Sequence, residues 1–293
     1  MIKKKAFCML LFSFILLLGA CDFETEESTE EVSSTEHIEE DNSDENDHQP
    51  DENHEKLTED SKIKYEGIEE TKYLYEVSDN YAYINVIDGE EAGERVVLLT
   101  YDDAPDGNAL EIADILEEHD APAIFFVNGI FIDSDTGEED LLELYERGFE
   151  IGNHGYTHAN LQNLSEDEQY EEIISTSDRI EEVTGERPRF FRAPYGVNTE
   201  FSTQTALEDG MMLMNWTYGY DWEQEYQNPQ ALADIMLNTE LLVSGSNLLM
   251  HDRKWTLEAT SLIIEGLREK DYELLDPSLI RSIELEEQVG SEG

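Results

Sequence analysis

The stretch Val96-Val97-Leu98-Leu99-Thr100-Tyr101-Asp102-Asp103 begins as a continuous apolar run and ends on paired acids. Apolar at successive positions over so short a length, it reads as a strand buried on both faces. Residues 109–119 follow with helical spacing. Ala123-Ile124-Phe125-Phe126-Val127, set between Pro122 and Asn128-Gly129, is a second strand. The alternation repeats outward. A helix over 141–147 leads to a strand at Phe149-Glu150-Ile151. Ser165-Glu166-Asp167-Glu168 is a capping box opening a helix that carries Tyr170, Ile173, Ile174 and Ile180, with Gly185 placed to end it. Arg189-Phe190-Phe191 and Met211-Met212-Leu213-Met214 read as buried strands, and Pro229 starts a helix running through 235. A strand at 247–250, a helix at 257–269 and a short strand at 272–275 complete the series. About seven strand–helix units imply an α/β fold with parallel pairing, in an open sheet or a closed barrel. Either way, chemistry is favoured at the C-terminal ends of the strands.

Upstream, 73–77 and 81–86 are β-rich runs around Ser78-Asp79-Asn80, a hairpin leading into the domain. Before it, residues 22–60 hold 18 acids and one base, Lys56, with no apolar periodicity. Such a segment cannot bury enough surface to offset chain entropy, so it reads as a solvated tether, its three histidines included. At the front, Lys3, Lys4 and Lys5 precede an apolar run over 6–18, shorter than the roughly 20 residues a spanning helix needs. This pattern is expected of a secretory signal. Leu18-Gly19-Ala20-Cys21 resembles the lipobox of bacterial lipoproteins, which implies lipidation at Cys21 and residence on the outer face of the cytoplasmic membrane.

The chain has 293 residues, 39% of them hydrophobic, enough for a sizeable core. Its 71 acids against 18 bases give a formal charge of −53, a field that repels polyanions and argues against nucleic acid as a partner. The acidity suits solvation in a salty or alkaline setting, or attraction to a cationic glycan. The two cysteines, Cys8 and Cys21, both lie near the N-terminus, which excludes a disulfide framework, a cysteine zinc finger and a cysteine nucleophile in the folded part.

Three features carry candidate chemistry. Asp102-Asp103 ends the strand quoted first. His154 and His158 follow another strand, and a spacing of four lets two imidazoles converge on one ion from a helical turn. Neutral imidazoles and a carboxylate suit zinc or a similar divalent metal. Two histidines and an aspartate also describe the facial triad of non-haem iron oxygenases, a chemistry usually found on a double-stranded β-barrel rather than on alternating strands and helices. His251 ends a further strand, Arg192-Ala193-Pro194-Tyr195-Gly196 follows another, and Asp221-Trp222 pairs a carboxylate with an apolar wall.

Together and in order, these residues resemble the polysaccharide deacetylase family, the NodB-homology domain of carbohydrate esterase family 4. The resemblance covers about two-thirds of the chain, 95–279, and places the family domain at 93–285. The organisation expected is a signal at 1–20, a tether at 21–62, a hairpin extension at 63–92, that domain, and a tail at 286–293. The resemblance implies a distorted (β/α) barrel of about seven parallel strands. It implies a divalent metal, Zn2+ first among candidates, at Asp103, His154 and His158. It implies Asp102 as general base, oriented by Arg192, and His251 as general acid, paired with Asp221. The Tyr195 N–H would help bind the oxyanion, and Trp222 and Leu248 would line the acetyl pocket. The reaction implied is removal of acetyl groups from N-acetylated sugars of an extracellular polysaccharide, with peptidoglycan the nearest abundant substrate.

The chain departs from the family pattern at Ala104, where Gly is usual, and at Gly155, where Ser or Thr is usual. Residues 216–222 hold Gly219 where an acid is common and are one residue short. None of these removes a proposed ligand, base or acid. They motivate the alternative of a non-catalytic glycan-binding lipoprotein. A transporter's substrate-binding lipoprotein is suggested only by the front end.

Overall fold

The computed structural model describes residues 72–283. The expected signal, the whole tether with Cys21, residues 63–71 of the hairpin extension and the tail at 286–293 lie outside the described residues. Strands β1 (Tyr75–Val77) and β2 (Ile84–Val86) form the expected antiparallel hairpin, Tyr75 opposite Val86. Then follow β3 (Val96–Ala104), α1 (Ala109–Glu118), β4 (Ile124–Val127), α2 (Asp135–Glu146) and β5 (Glu150–Asn153). After these come α3 (Glu166–Thr184), β6 (Phe190–Phe191), α4 (Glu200–Glu208) and β7 (Met212–Leu213). The last elements are α5 (Pro229–Asn238), β8 (Ser246–His251), α6 (Lys254–Glu269) and β9 (Glu273–Leu274).

Strands β3 to β9 form one seven-stranded, all-parallel sheet in the order β7-β6-β5-β4-β3-β8, with β9 paired to the start of β3. The sheet is a curled half-barrel with helices around it. The chain just past β7 reaches β8: Thr217 N–H donates to the Asn247 carbonyl and Leu249 N–H to the Tyr218 carbonyl. A parallel strand needs both faces covered, and β3, buried at all nine positions, shows how. Val97, Leu99 and Tyr101 pack outward with Ile112 and Leu116 of α1 and Ile263 of α6. Val96 and Leu98 face inward with Phe126, Phe190 and Met214, and with Tyr75 and Ile84 of the hairpin. Side chains alternate along a strand, so the inner row continues Val96, Leu98, Thr100, Asp102. The row turns polar at its C-terminal end.

The α3 helix carries its capping box at Ser165 and Glu168, and Gly185 ends it at φ 81°, a left-handed conformation that glycine adopts without steric cost. The two largest departures from the sequence expectation are helices α2 and α4, while α5 runs three residues past 235 and α6 begins three before 257. Helix α2 begins six residues before 141, because Ser134 caps it by accepting the Gly137 N–H while its polar first turn shows no apolar period. Helix α4 was not expected at all. Its buried face is Ser202, Thr205 and Ala206, which makes no apolar stripe.

Candidate active site

Parallel pairing sets Asp102 of β3 beside His251 of β8 at the C-terminal end of the sheet. His154 follows β5 there, and Arg192 follows β6. Past Tyr101 the register of β3 on β4 shifts, and Asp103 takes a left-handed φ of 58°. The bulge lets consecutive aspartates serve one site instead of opposite faces.

Arg192 is fully buried and all five of its N–H groups are met. Nε donates to the Met214 carbonyl at 3.0 Å. Nη1 donates to Thr100 Oγ1 at 2.8 Å and Asp102 Oδ1 at 2.6 Å. Nη2 donates to the Asn215 carbonyl at 2.9 Å and Asn247 Oδ1 at 3.2 Å. The guanidinium also lies 4.1 Å over the Phe126 ring. Burial lowers its proton affinity, and the Asp102 carboxylate works against that. The ion pair leaves Asp102 Oδ2 facing the cleft, 3.5 Å from His154 Nε2.

Asp103, His154 and His158 bring one donor atom each to within 4.8 Å of one another. Asp103 Oδ1 is 3.5 Å from His158 Nε2 and 3.9 Å from His154 Nε2. Ligands about 2.1 Å from one tetrahedral ion lie about 3.4 Å apart, so the set fits a divalent cation. His154 Nδ1 is 2.7 Å from the Arg192 carbonyl, which can only accept. That bond fixes the proton on Nδ1 and turns the Nε2 lone pair toward Asp103. Burial pushes His154 down from the usual histidine range, against the pull of Asp102 and Asp103. The two histidines do not lie on a helical turn. They bracket a loop with Gly155 at φ 75° and His158 at φ 60°. Glu172 of α3 holds this loop, accepting the Tyr156 and Thr157 N–H groups at 2.9 Å each and the Thr157 hydroxyl at 2.6 Å.

Across the cleft, Asp221 Oδ1 lies 2.7 Å from His251 Nδ1. Its Oδ2 accepts the His251 N–H and the Thr256 hydroxyl at 2.6 and 2.7 Å. Burial works against the imidazolium, but the hydrogen bond and charge of Asp221, helped by Asp102 and Asp103, raise His251 above the usual histidine range. Both expected pairs, Arg192 with Asp102 and Asp221 with His251, are therefore assembled.

Between them lies a cavity of about 410 Å³. Tyr195, 62% exposed and itself left-handed at φ 61°, sets its ring against His158 on one rim. Trp222, 45% exposed, stands edge-on to His251 on the other. The expected lining residue Leu248 is elsewhere. It packs in the outer core, and its neighbour Leu249 lines the cavity, because residues on the same face of β8 as His251 are two apart. Trp216 also lines the cavity. A larger cavity, about 800 Å³, opens beside the hairpin at Tyr81, Tyr83 and Met212, but no histidine lines it.

The polysaccharide deacetylase family pattern matches residues 89–214. A peptidoglycan-N-acetylglucosamine deacetylase of Bacillus cereus is 32% identical over 208 residues, 68% of this chain and 69% of its own length. The chain belongs to the polysaccharide deacetylase family. A second relative, the peptidoglycan-N-acetylmuramic acid deacetylase PdaC of Bacillus subtilis, is 29% identical, and the match spans 66% of this chain but 40% of that protein. Among solved structures, a mutant of a carbohydrate esterase family 4 pseudoenzyme with restored activity superposes with a TM-score of 0.57 at 31% identity, covering 65% of this chain and 70% of that one. This deacetylase domain also holds polar groups that sequence reading missed: Glu172, Thr256, Asn247 and Asn153, whose Oδ1 accepts the Gly155 N–H. Of these, Asn247 alone carried a signal, a polar residue inside an apolar strand.

Proposed function

We propose that the protein is a metal-dependent hydrolase that removes acetyl groups from N-acetylated sugars of an extracellular glycan, with peptidoglycan as the substrate. The observation that carries this reading is Asp102 Oδ2 and His251 facing one cavity beside the three-donor set. Asp103, His154 and His158 would hold the cation, Zn2+ by the donor chemistry. When bound, a divalent cation supplies Lewis acidity to an amide carbonyl, which is a poor electrophile by itself. Asp102, held by Arg192, takes the proton of the attacking water. The Tyr195 N–H donates to the oxyanion as the carbonyl carbon becomes tetrahedral. His251, held cationic by Asp221, protonates the leaving amine as the C–N bond breaks. Trp222 and Leu249 wall the acetyl methyl. The products are acetate and a free amino sugar.

We further propose lipid anchoring at Cys21 on the outer face of the cytoplasmic membrane, supported by Leu18-Gly19-Ala20-Cys21 behind a basic and apolar leader. The relatives act, by their names, on the N-acetylmuramic acid and N-acetylglucosamine of peptidoglycan, which supports the choice of glycan. The test is acetate release from N-acetylglucosamine oligomers and peptidoglycan, with and without chelator. Chelator-sensitive release is expected. Tight glycan binding by metal-loaded protein with no acetate release would instead favour the non-catalytic reading, which the pseudoenzyme neighbour and the motif departures motivate.

A further inference from the structure

Arg253 lies two residues past His251 and is the N-cap residue of α6, with no capping hydrogen bond from its side chain. Small polar residues are preferred there, and the helix dipole disfavours a cation. Its side chain is engaged elsewhere. Nη2 donates to Asp103 Oδ2 at 2.8 Å, and Nη1 to Asp106 Oδ2 at 3.1 Å. The Asp103 side chain is only 13% exposed, so water competes weakly for that oxygen. The two oxygens of Asp103 thus point to different partners, Oδ2 to the guanidinium and Oδ1 to the two imidazoles. A free carboxylate can turn both oxygens on one cation, whereas one held this way offers one.

We propose that Arg253 is a positioning residue that makes Asp103 a one-oxygen donor to the cation that Asp103, His154 and His158 would hold. The inference rests on the metal reading above. Arg253 is neither one of the three donors nor a lining residue of the cavity, so it acts through Asp103. Asp106, its second partner, keeps the guanidinium turned toward the bulge.

The test uses the purified full chain loaded with one equivalent of Co(II), whose visible absorption is intense at low coordination number and weak at six. His154→Ala marks which band belongs to this site rather than to histidines of the tether. In Arg253→Met, a weakened, six-coordinate-like band is expected, with kcat down about 10–100-fold and KM little changed. Arg253→Lys, which can still donate to Oδ2, should restore most of both. Circular dichroism checks that each variant is folded. A wild-type band in folded Arg253→Met, or loss of Co(II) binding by it, overturns the one-oxygen role while leaving the metal reading intact. A wild-type protein without any His154-dependent band overturns the metal reading itself, and this inference with it.

Discussion

Asp102 and Asp221 are both almost fully buried, at 2% and 1% exposure, and each is held by one basic side chain. Their partners differ in kind. Asp102 meets a guanidinium, which has no proton to exchange near neutral pH, and keeps Oδ2 turned to the cleft. Asp221 meets an imidazole, which does exchange protons, and spends both oxygens on His251 and Thr256. In the proposed mechanism the same residue type is a reagent on one side and a holder on the other. The assignment of base and acid follows from which oxygen remains free.

The largest effects should come from removing the two reagents. Asp102→Asn and His251→Ala should each lower kcat about 10²–10⁴-fold, the usual contribution of general base or acid catalysis. Both should still bind Co(II), because neither is among the three donors. Retained turnover in both variants, measured as acetate release, would sink the comparison at its root.

Removing the holder on the base side should act on stability as well as rate. Arg192→Met leaves the Asp102 carboxylate buried without its cation and leaves Thr100 and Asn247 without their donor. Breaking a buried pair from one side costs about 3–5 kcal/mol. Urea unfolding should show that loss, and a midpoint equal to wild type would mean that the pair carries no structural load.

How legible this was depended on the residue type and on its place. His154, His158 and His251 are among only seven histidines, whereas Asp102 and Asp103 stood out by their place at a strand end and not by residue type. Glu172 did not stand out. Among 71 acids, a glutamate in a helix reads as one more solvated face, and nothing in its spacing says that it turns inward to a loop 15 residues earlier. Leu248 was carried over from the motif resemblance, whereas the two-residue period counted back from His251 selects Leu249. The alternation was readable, but whether the sheet curled or stayed open was not. That depends on contacts such as those of Thr217 and Tyr218 with β8, which leave no local pattern.

The acid side makes a sharper, smaller prediction. His251 is raised, so its acid form persists above the usual histidine range and activity should fall as pH rises through that raised value. Asp221→Asn removes the opposing charge and leaves burial to act, so the alkaline limb of kcat/KM should move to lower pH. The same sign governs stability. A group raised on folding contributes fully below its unfolded value near 6.5 and loses that contribution as pH rises through its folded value. The variant should lack this pH-dependent component of stability. An alkaline limb that stays in place would show that Asp221 does not set the proton affinity of His251.

The smallest effect is expected where neither pair is touched. Glu172 sits on the cation-donor side and holds the His154–His158 loop through three hydrogen bonds. In Glu172→Gln the amide oxygen can take the two N–H groups, and the amide nitrogen can donate to the Thr157 hydroxyl, which turns to accept. Only the charge assistance is lost, so the cost should be about 1 kcal/mol. Glu172→Leu leaves the two N–H groups without their acceptor in a half-buried place and should cost more, toward the low end of roughly 1–3 kcal/mol. In both variants the pH limbs should match wild type, since Asp102 and Asp221 keep their partners, while Co(II) binding weakens as the loop loosens. A shifted alkaline limb in Glu172→Leu would mean that the two sides of the cleft are coupled, and that the division of labour between the aspartates is not a local property of each pair.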